Sequence, residues 1–455
     1  MTRPSLALAL ILMTGCSVPI VAPDARQAVP SSYSSTVPPS QAALDVDWWS
    51  RTGDQQLTEL LALARAGNPD LQSAAAQVMA ARARAGQDAA ALWPDATGQV
   101  AATDADSDTT ARSRTRTATL DASWEIDLFR RASRTADAQR SRATAESHAY
   151  AGANVSLAAE VADTYVQYRA CRMTEQVYRD TVTSQTETVE ATSALTTAGL
   201  RAGSDQALAR ANQASARISL ASQAADCRVL ALSLSVLAGA SQDRIDAILA
   251  KGGGIPQAKA FRVSDVPADM LRQRPDIAEA EMKLAANLLD LGVSEADLYP
   301  ALALNGKVQL TDPSGWSFGP ALSLPIFDGG QRRAAVRVAN AEAIVSAETY
   351  RGAVLSAVAE AESALTRLNT AQKNLAQAGT LVAEYGTYFA AVDADWKAGR
   401  ISLLDREEAR RQVQSARITQ ISQQLALTRQ WIALYKAMGG GWQRPDAGSI
   451  TSNGI

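Results

Sequence analysis

Histidine is almost missing from this chain: His148 stands alone among 455 residues. A lone imidazole nearly excludes His-based metal sites and Ser/His/Asp or Cys/His catalysis. His148, placed mid-helix without ligand-type neighbours, reads as an ordinary packed or surface residue. Aromatics are scarce at 5%, although hydrophobic residues reach 47%. Alanine dominates that apolar share; it cannot fill a thick globular core, but it lets helices pack closely along narrow seams. An excess of either charge is also lacking. The 44 Lys+Arg and 47 Asp+Glu leave −3 with no basic block, which excludes a nucleic-acid footprint. The length alone suggests two or three globular domains. The composition argues against them and against an enzyme; no catalytic residue and no metal are expected.

The N-terminus reads Met1-Thr2-Arg3, an apolar run from Leu6 to Met13, then Thr14-Gly15-Cys16. A basic start and a short apolar stretch describe an export signal, too short to span a bilayer as a helix. Small residues before a cysteine resemble the bacterial lipoprotein signal, although Met13 stands where Leu is usual. The resemblance implies that residues 1–15 are a signal peptide and that Cys16 carries the lipid, the sole covalent group expected. Ser17 in place of Asp implies sorting to the outer membrane. The alternative is a plain cleaved signal with an incidental cysteine. Residues 16–67 form the lipid-anchored N-terminal segment, and its Pro/Ser/Ala-rich part from Ser17 to about Val46 reads as an extended tether.

The rest of the chain is one unit written twice. Asn68-Pro69-Asp70 and Leu92-Trp93-Pro94 are matched 206 residues later by Arg274-Pro275-Asp276 and Leu298-Tyr299-Pro300. At an offset of 200, Ser123-Trp124-Glu125-Ile126 matches Ser323-Leu324-Pro325-Ile326, Ala198-Gly199 matches Ala398-Gly399, and Asp205 matches Asp405. The change of offset falls in the polar stretch Asp104–Thr117, which reads as a longer loop in the first copy. The copies span 68–238 and 274–437, joined by a linker at 239–273 and followed by a tail at 438–455.

Each copy predicts a helix, two strands, a very long helix, a turn and a return helix. Strands alternate cleanly. Over 119–128, Leu120, Ala122, Trp124, Ile126 and Leu128 oppose an acidic face of Asp121, Glu125 and Asp127. Similar runs lie at 301–310 and 316–326, with a weaker one near 96–103. Their length suits tilted membrane strands, and Trp93, Trp124, Tyr299, Trp316 and Phe318 suit membrane interfaces. The long helices, 130–197 and 330–397, lack internal proline and each extend about 100 Å. Val155, Ala159, Ala162, Val166, Ala170, Met173 and Val177 follow an 11-residue period, and Leu157, Val161, Tyr165 and Tyr168 form a second line. Two lines give a helix neighbours on both sides, as in a wall. Cys171 and Cys227 each lie 28 residues from Gly199, so antiparallel helices bring them level, as a disulfide or as two buried thiols.

Four strands cannot close a barrel, and open edges are not viable in lipid. Three copies give twelve strands and twelve helical arms, so geometry predicts an α+β membrane protein: a long antiparallel α-helical tunnel plus a transmembrane β-barrel shared by a trimer.

The chain resembles the TolC-like outer-membrane factors, in particular the NodT-type lipoprotein branch. The resemblance rests on Gly15-Cys16, Trp48-Trp49, Asn68-Pro69-Asp70, Trp124-Glu125-Ile126-Asp127-Leu128-Phe129, Arg272-Gln273-Arg274-Pro275-Asp276, Leu324-Pro325-Ile326-Phe327-Asp328-Gly329-Gly330 and the C-terminal run from Leu434 to Trp442. It implies a homotrimeric exit duct for drugs and other small molecules, docked to a periplasmic membrane-fusion adaptor and an inner-membrane RND-type transporter. The alternatives are a type I-like protein-secretion duct and a coiled-coil envelope protein without a pore. The resemblance also implies a periplasmic aperture at Leu404, Asp405 and Glu408. Arg406, Arg410 and Arg411 are candidates for ion pairs that hold it closed. Gly199, Leu200, Arg201, Gly399 and Arg400 mark the adaptor-docking tips. Without the resemblance, Asp405, Glu407 and Glu408 read as a solvated helix face.

Overall fold

The computed structural model describes residues 29–37, 48–107, 110–257, 273–311 and 314–442. The expected signal peptide and Cys16 lie outside them. The elements run α1 (Gln55–Gly67), α2 (Pro69–Ala89), β1 (Asp95–Ser107), β2 (Thr110–Ile126), α3 (Arg131–Thr197), α4 (Gly203–Ala238), α5 (Gln242–Leu249), α6 (Pro275–Ala296), β3 (Ala301–Gln309), β4 (Gly315–Ser323), α7 (Gln331–Lys397) and α8 (Leu403–Ala437). The order helix, strand, strand, 67-residue helix, return helix occurs at 69–238 and again at 275–437. The chain forms two compact units, and α3 and α7 contribute to both.

The first unit, Ala74–Tyr150 with Asp276–Val354, holds an antiparallel sheet in the order β1-β2-β3-β4. Its register aligns Gly98 with Leu120, Leu120 with Val308, and Val308 with Trp316. One face is therefore continuously apolar. That face is open: Val100, Trp316, Phe318 and Leu322 are all largely exposed. The described residues of the Asp104–Thr117 stretch do not form a loop. They form the far ends of β1 and β2, because Thr and Ser alternate with Ala and Arg in a strand-compatible pattern that lacks an apolar face to announce it. The last apolar run also ends early, at Ser323, since Pro325 has no amide to donate. Beneath the sheet the helices meet through small side chains, with Ala81, Ala85 and Ala143 buried together.

The second unit comprises the described parts of Ala28–Ser73, Ala151–Pro275 and Leu355–Ile455. Trp48 stacks on Tyr435 at 5.1 Å, and Trp49 meets the same ring edge-on at 4.8 Å. Asp54 caps α1 by accepting from the amides of Gln56 and Leu57 at 2.9 and 3.0 Å. It also accepts the Tyr165 hydroxyl at 2.9 Å, while Arg169 Nε donates to that hydroxyl at 2.8 Å. Burial pushes the Tyr165 phenol up, so it stays a neutral donor.

The close helix ends explain two of the sequence landmarks. Asn68 Nδ2 donates to the Leu237 carbonyl and Arg274 Nη1 to the Ala437 carbonyl, both at 3.0 Å, so each residue satisfies the last turn of a return helix. The next residues press against backbone. A Cβ on Gly239 (φ +57°) falls 2.0 Å from the Gly67 carbonyl oxygen, and one on Gly439 (φ +71°) falls 2.4 Å from that of Gln273. No side chain fits there.

Two expectations change here. Part of the N-terminal tether is docked: Tyr33 is buried, and Ser34 and Ser35 donate to the Glu362 carboxylate on α7. The segment after Gly239 is not only a linker, for it contains α5, whose Ile245, Ile248 and Leu249 are buried. Both lines of α3 are packed, with Val155, Ala162, Val166 and Ala170 on one and Leu157, Val161 and Tyr165 on the other. Cys171 and Cys227 are joined, Cα atoms 5.6 Å apart, across a sequence separation of 56. Loop-closure entropy makes such a link worth roughly 4 kcal/mol. Replacing both cysteines with serine is expected to lower the unfolding free energy of the purified chain by that order, read as an earlier denaturation midpoint by circular dichroism without reductant.

Candidate functional site

The ends of the two helical hairpins are built alike. After α3, Gly199 donates to Thr196 O and Leu200 to Leu195 O; after α7, Gly399 donates to Trp396 O and Arg400 to Asp395 O. Each pair of bonds closes a helix through a glycine with φ above +70°. Leu200 is left 70% exposed, and Arg400 is held by Asp395. Arg201 lies 3.6 Å from Asp205.

The start of α8 carries the expected aperture residues. Ser402 accepts from the Asp405 amide, and Asp405 accepts from the Ser402 amide at 3.2 Å and hydroxyl at 2.7 Å, a capping box. These bonds, with Arg201 nearby, hold the Asp405 carboxyl below the usual range. Glu408 is exposed and paired with Arg411. Leu403 and Leu404 are half-buried.

Glu407 does not lie on a solvated face. It is 4% exposed and sits at the centre of a cluster. Ser184 Oγ donates to it at 2.9 Å and Gln185 Nε2 at 3.3 Å, both from α3. Arg406 and Arg410 approach it at 3.1 and 3.8 Å. Arg406 also donates to Asp393 of α7 at 2.5 Å and lies 4.4 Å from the Trp396 ring centre, while Arg410 covers Phe389 at 5.4 Å. One carboxylate thus joins α3, α7 and α8. Hydrogen bonds from Lys397 and Arg406 keep the Asp393 carboxyl well below its ordinary value. Of the three arginines singled out by sequence, Arg406 and Arg410 belong to this cluster and Arg411 does not.

The acidic strand face is shorter than expected. Asp121 stays on it, 3.6 Å from Lys307. Glu125 turns to Arg131, whose Nε donates at 3.0 Å. Asp127 is not a strand residue at all: β2 ends at Ile126, and Asp127 accepts from the amides of Ala132 and Ser133 at 2.9 and 2.8 Å, capping α3. Helix termini draw carboxylates away from a lumen because their free amides are strong donors.

A family model described as outer membrane efflux protein matches residues 60–240 and 266–440. The chain belongs to the outer membrane efflux protein family. Nodulation protein T of Rhizobium leguminosarum bv. trifolii is 30% identical over 97% of this chain and 98% of its own length. The pyoverdine export outer membrane protein OpmQ of Pseudomonas putida is 29% identical over 96% and 97%. The solved outer-membrane channel OprN matches with a TM-score of 0.82 at 27% identity, covering 93% of this chain and all of its own. The chain is an outer-membrane efflux duct that extends into the periplasm.

The sequence marked the glycine turns at 199 and 399 and placed Arg406 and Arg410 beside this end, but missed Glu407 and its α3 partners. The signal was present: beyond Val177 the buried seam of α3 continues through Ser184, Thr188 and Thr192. The Thr188 and Thr192 hydroxyls are satisfied by backbone carbonyls one turn earlier. A hydrophobicity count stops at Val177 although the packing does not. Glu407→Gln keeps the size, takes the counter-charge from Arg410 and leaves Arg406 with Asp393 alone. It is expected to loosen this end by about 2–3 kcal/mol, seen as faster hydrogen exchange in 184–192 and 403–411. Because the Asp393 value is lowered on folding, its contribution is complete above the unfolded value near ~4 and is lost as pH falls through the folded value. Protection factors at this end, corrected for the intrinsic pH dependence of exchange, are therefore expected to be flat from neutral pH to about 4 and to fall below it, and Asp393→Asn weakens that acid response.

Proposed function

We propose that three copies of the chain form one passive exit duct, with twelve strands closed in the outer membrane and the hairpins forming a periplasmic tunnel. The observation that carries this reading is the four-stranded sheet, in which β1 and β4 each pair on one side only and the apolar face is exposed. Such edges are tolerable in lipid only when further copies complete the ring. Two internal repeats then place the chain twice around the axis. The Leu200, Arg201 and Arg400 side chains at the tips suit docking of a periplasmic adaptor, which would link the duct to an inner-membrane RND-type transporter. The relative named for pyoverdine export supports small molecules as cargo. A lipid on Cys16 anchors the N-terminus to the same membrane.

At the periplasmic end, threefold symmetry would gather Asp405 and Glu408 into a ring of carboxylates, which selects cations. The test is a planar-bilayer recording of the purified full chain. Cation-preferring steps are expected, with the reversal potential moving toward zero in Asp405→Asn/Glu408→Gln. If neither protein conducts, the channel reading fails.

A further inference from the structure

The apolar stripe of β2 changes character toward the hairpin tip. Leu120, Ala122, Trp124 and Ile126 share one face; with a side-chain period of two, Arg116, Arg114 and Arg112 continue the same face. All three arginines are exposed. The register sets Arg114 opposite Asp104 and Arg116 opposite Ala102, while β3 ends at Gln309, opposite Thr119. The β1–β2 hairpin therefore runs on alone past the other strands, with its tip away from the ends that join the helices.

The spacing fits a membrane boundary. At about 3.4 Å per residue, Arg116 lies roughly 13 Å beyond Leu120 and Arg112 roughly 27 Å beyond it. The ladder begins where the apolar face stops. Its internal pairing is incomplete: Asp104 accepts Arg112 Nε at 2.8 Å and Arg114 Nε at 3.1 Å, so one carboxylate orders two guanidiniums. Asp106, beside the register shift, is the other carboxylate on this stretch of β1. Asp104, Asp106 and Asp108 balance the three arginines in number, but among the described residues only Asp104 bonds to the ladder, so the local positive charge falls on Arg116, opposite Ala102 and nearest the apolar belt. Guanidinium forks match phosphate oxygens and keep their charge at any physiological pH.

The geometry points to a lipid-binding site: Arg114 and Arg116, braced by Arg112 and Asp104, hold the phosphate of an outer-leaflet headgroup while Leu120 and Val100 contact its acyl chains. This rests on the barrel reading above. The ladder gives the lipid-facing wall a preference for phosphorylated lipid and fixes how deep the hairpin sits.

The full chain is reconstituted in phosphatidylcholine vesicles containing bisphosphorylated lipid A or its dephosphorylated form. It is then extracted in mild detergent, and the retained lipid is counted by native mass spectrometry. On the order of tenfold enrichment of the phosphorylated form is expected. It should fall to near parity in Arg114→Gln/Arg116→Gln and persist in Arg114→Lys/Arg116→Lys, which keeps the charge and controls for folding. A wild-type protein that inserts and conducts yet shows no preference overturns the site and leaves the channel intact. Equal loss in the Lys and Gln variants also overturns it, since charge would then not be the cause. Failure to insert overturns both readings.

Discussion

A β-sheet in hydrocarbon has nowhere to hide an unpaired backbone, and the described residues of this chain make four strands. The edges of β1 and β4 each expose a row of amides and carbonyls. In water such a row is hydrated; in lipid each unpaired group costs several kcal/mol. The face that carries Trp316 and Phe318 is apolar and exposed, which suits that environment. Burial in lipid and edge closure therefore act together: the residues that favour the membrane make solitary existence there untenable.

The helices obey a related economy of space. Helices that pack this closely leave little room for large side chains. Alanine serves this at Ala81, Ala85 and Ala143, and Gly239 serves it against Gly67, where not even a methyl group fits. Close approach leaves helix ends without water, so Asn68 and Arg274 supply the missing donors. Where the seam turns polar, along Ser184, Thr188 and Thr192, burial becomes tolerable for one carboxylate, provided two arginines and two neutral donors surround it. The Glu407 cluster is thus set by its neighbours on α3 and α7 as much as by its own helix.

How far the sequence could be read depended on whether a segment carried its own contrast. The strand at Leu120–Ile126 shows apolar against polar residues at every step, and α3 shows two apolar lines, so both were visible. Residues 112–117 alternate Arg with Ser and Thr, two polar classes, and the strand there is stabilised by pairing with β1. Asp127 continued the alternation by position, but the free amides of Ala132 and Ser133 claimed it. Glu407, set among Asp405, Arg406 and Glu408, looked solvated because its burial comes from residues more than two hundred positions away.

Local chemistry along the chain, in its periodicities, glycine turns, proline stops and landmarks spaced by about two hundred residues, was enough to establish the element order, the apolar face of the sheet, the glycine turns that end the long helices and the level placement of Cys171 and Cys227. These follow from the period of a helix or strand and from the φ values a turn requires. Packing between distant segments decided which carboxylates remain on the strand face, which one is buried, how far the β1–β2 hairpin extends and where its arginines stand. Those outcomes depend on which donor reaches a charge first, and only the folded chain sets that distance.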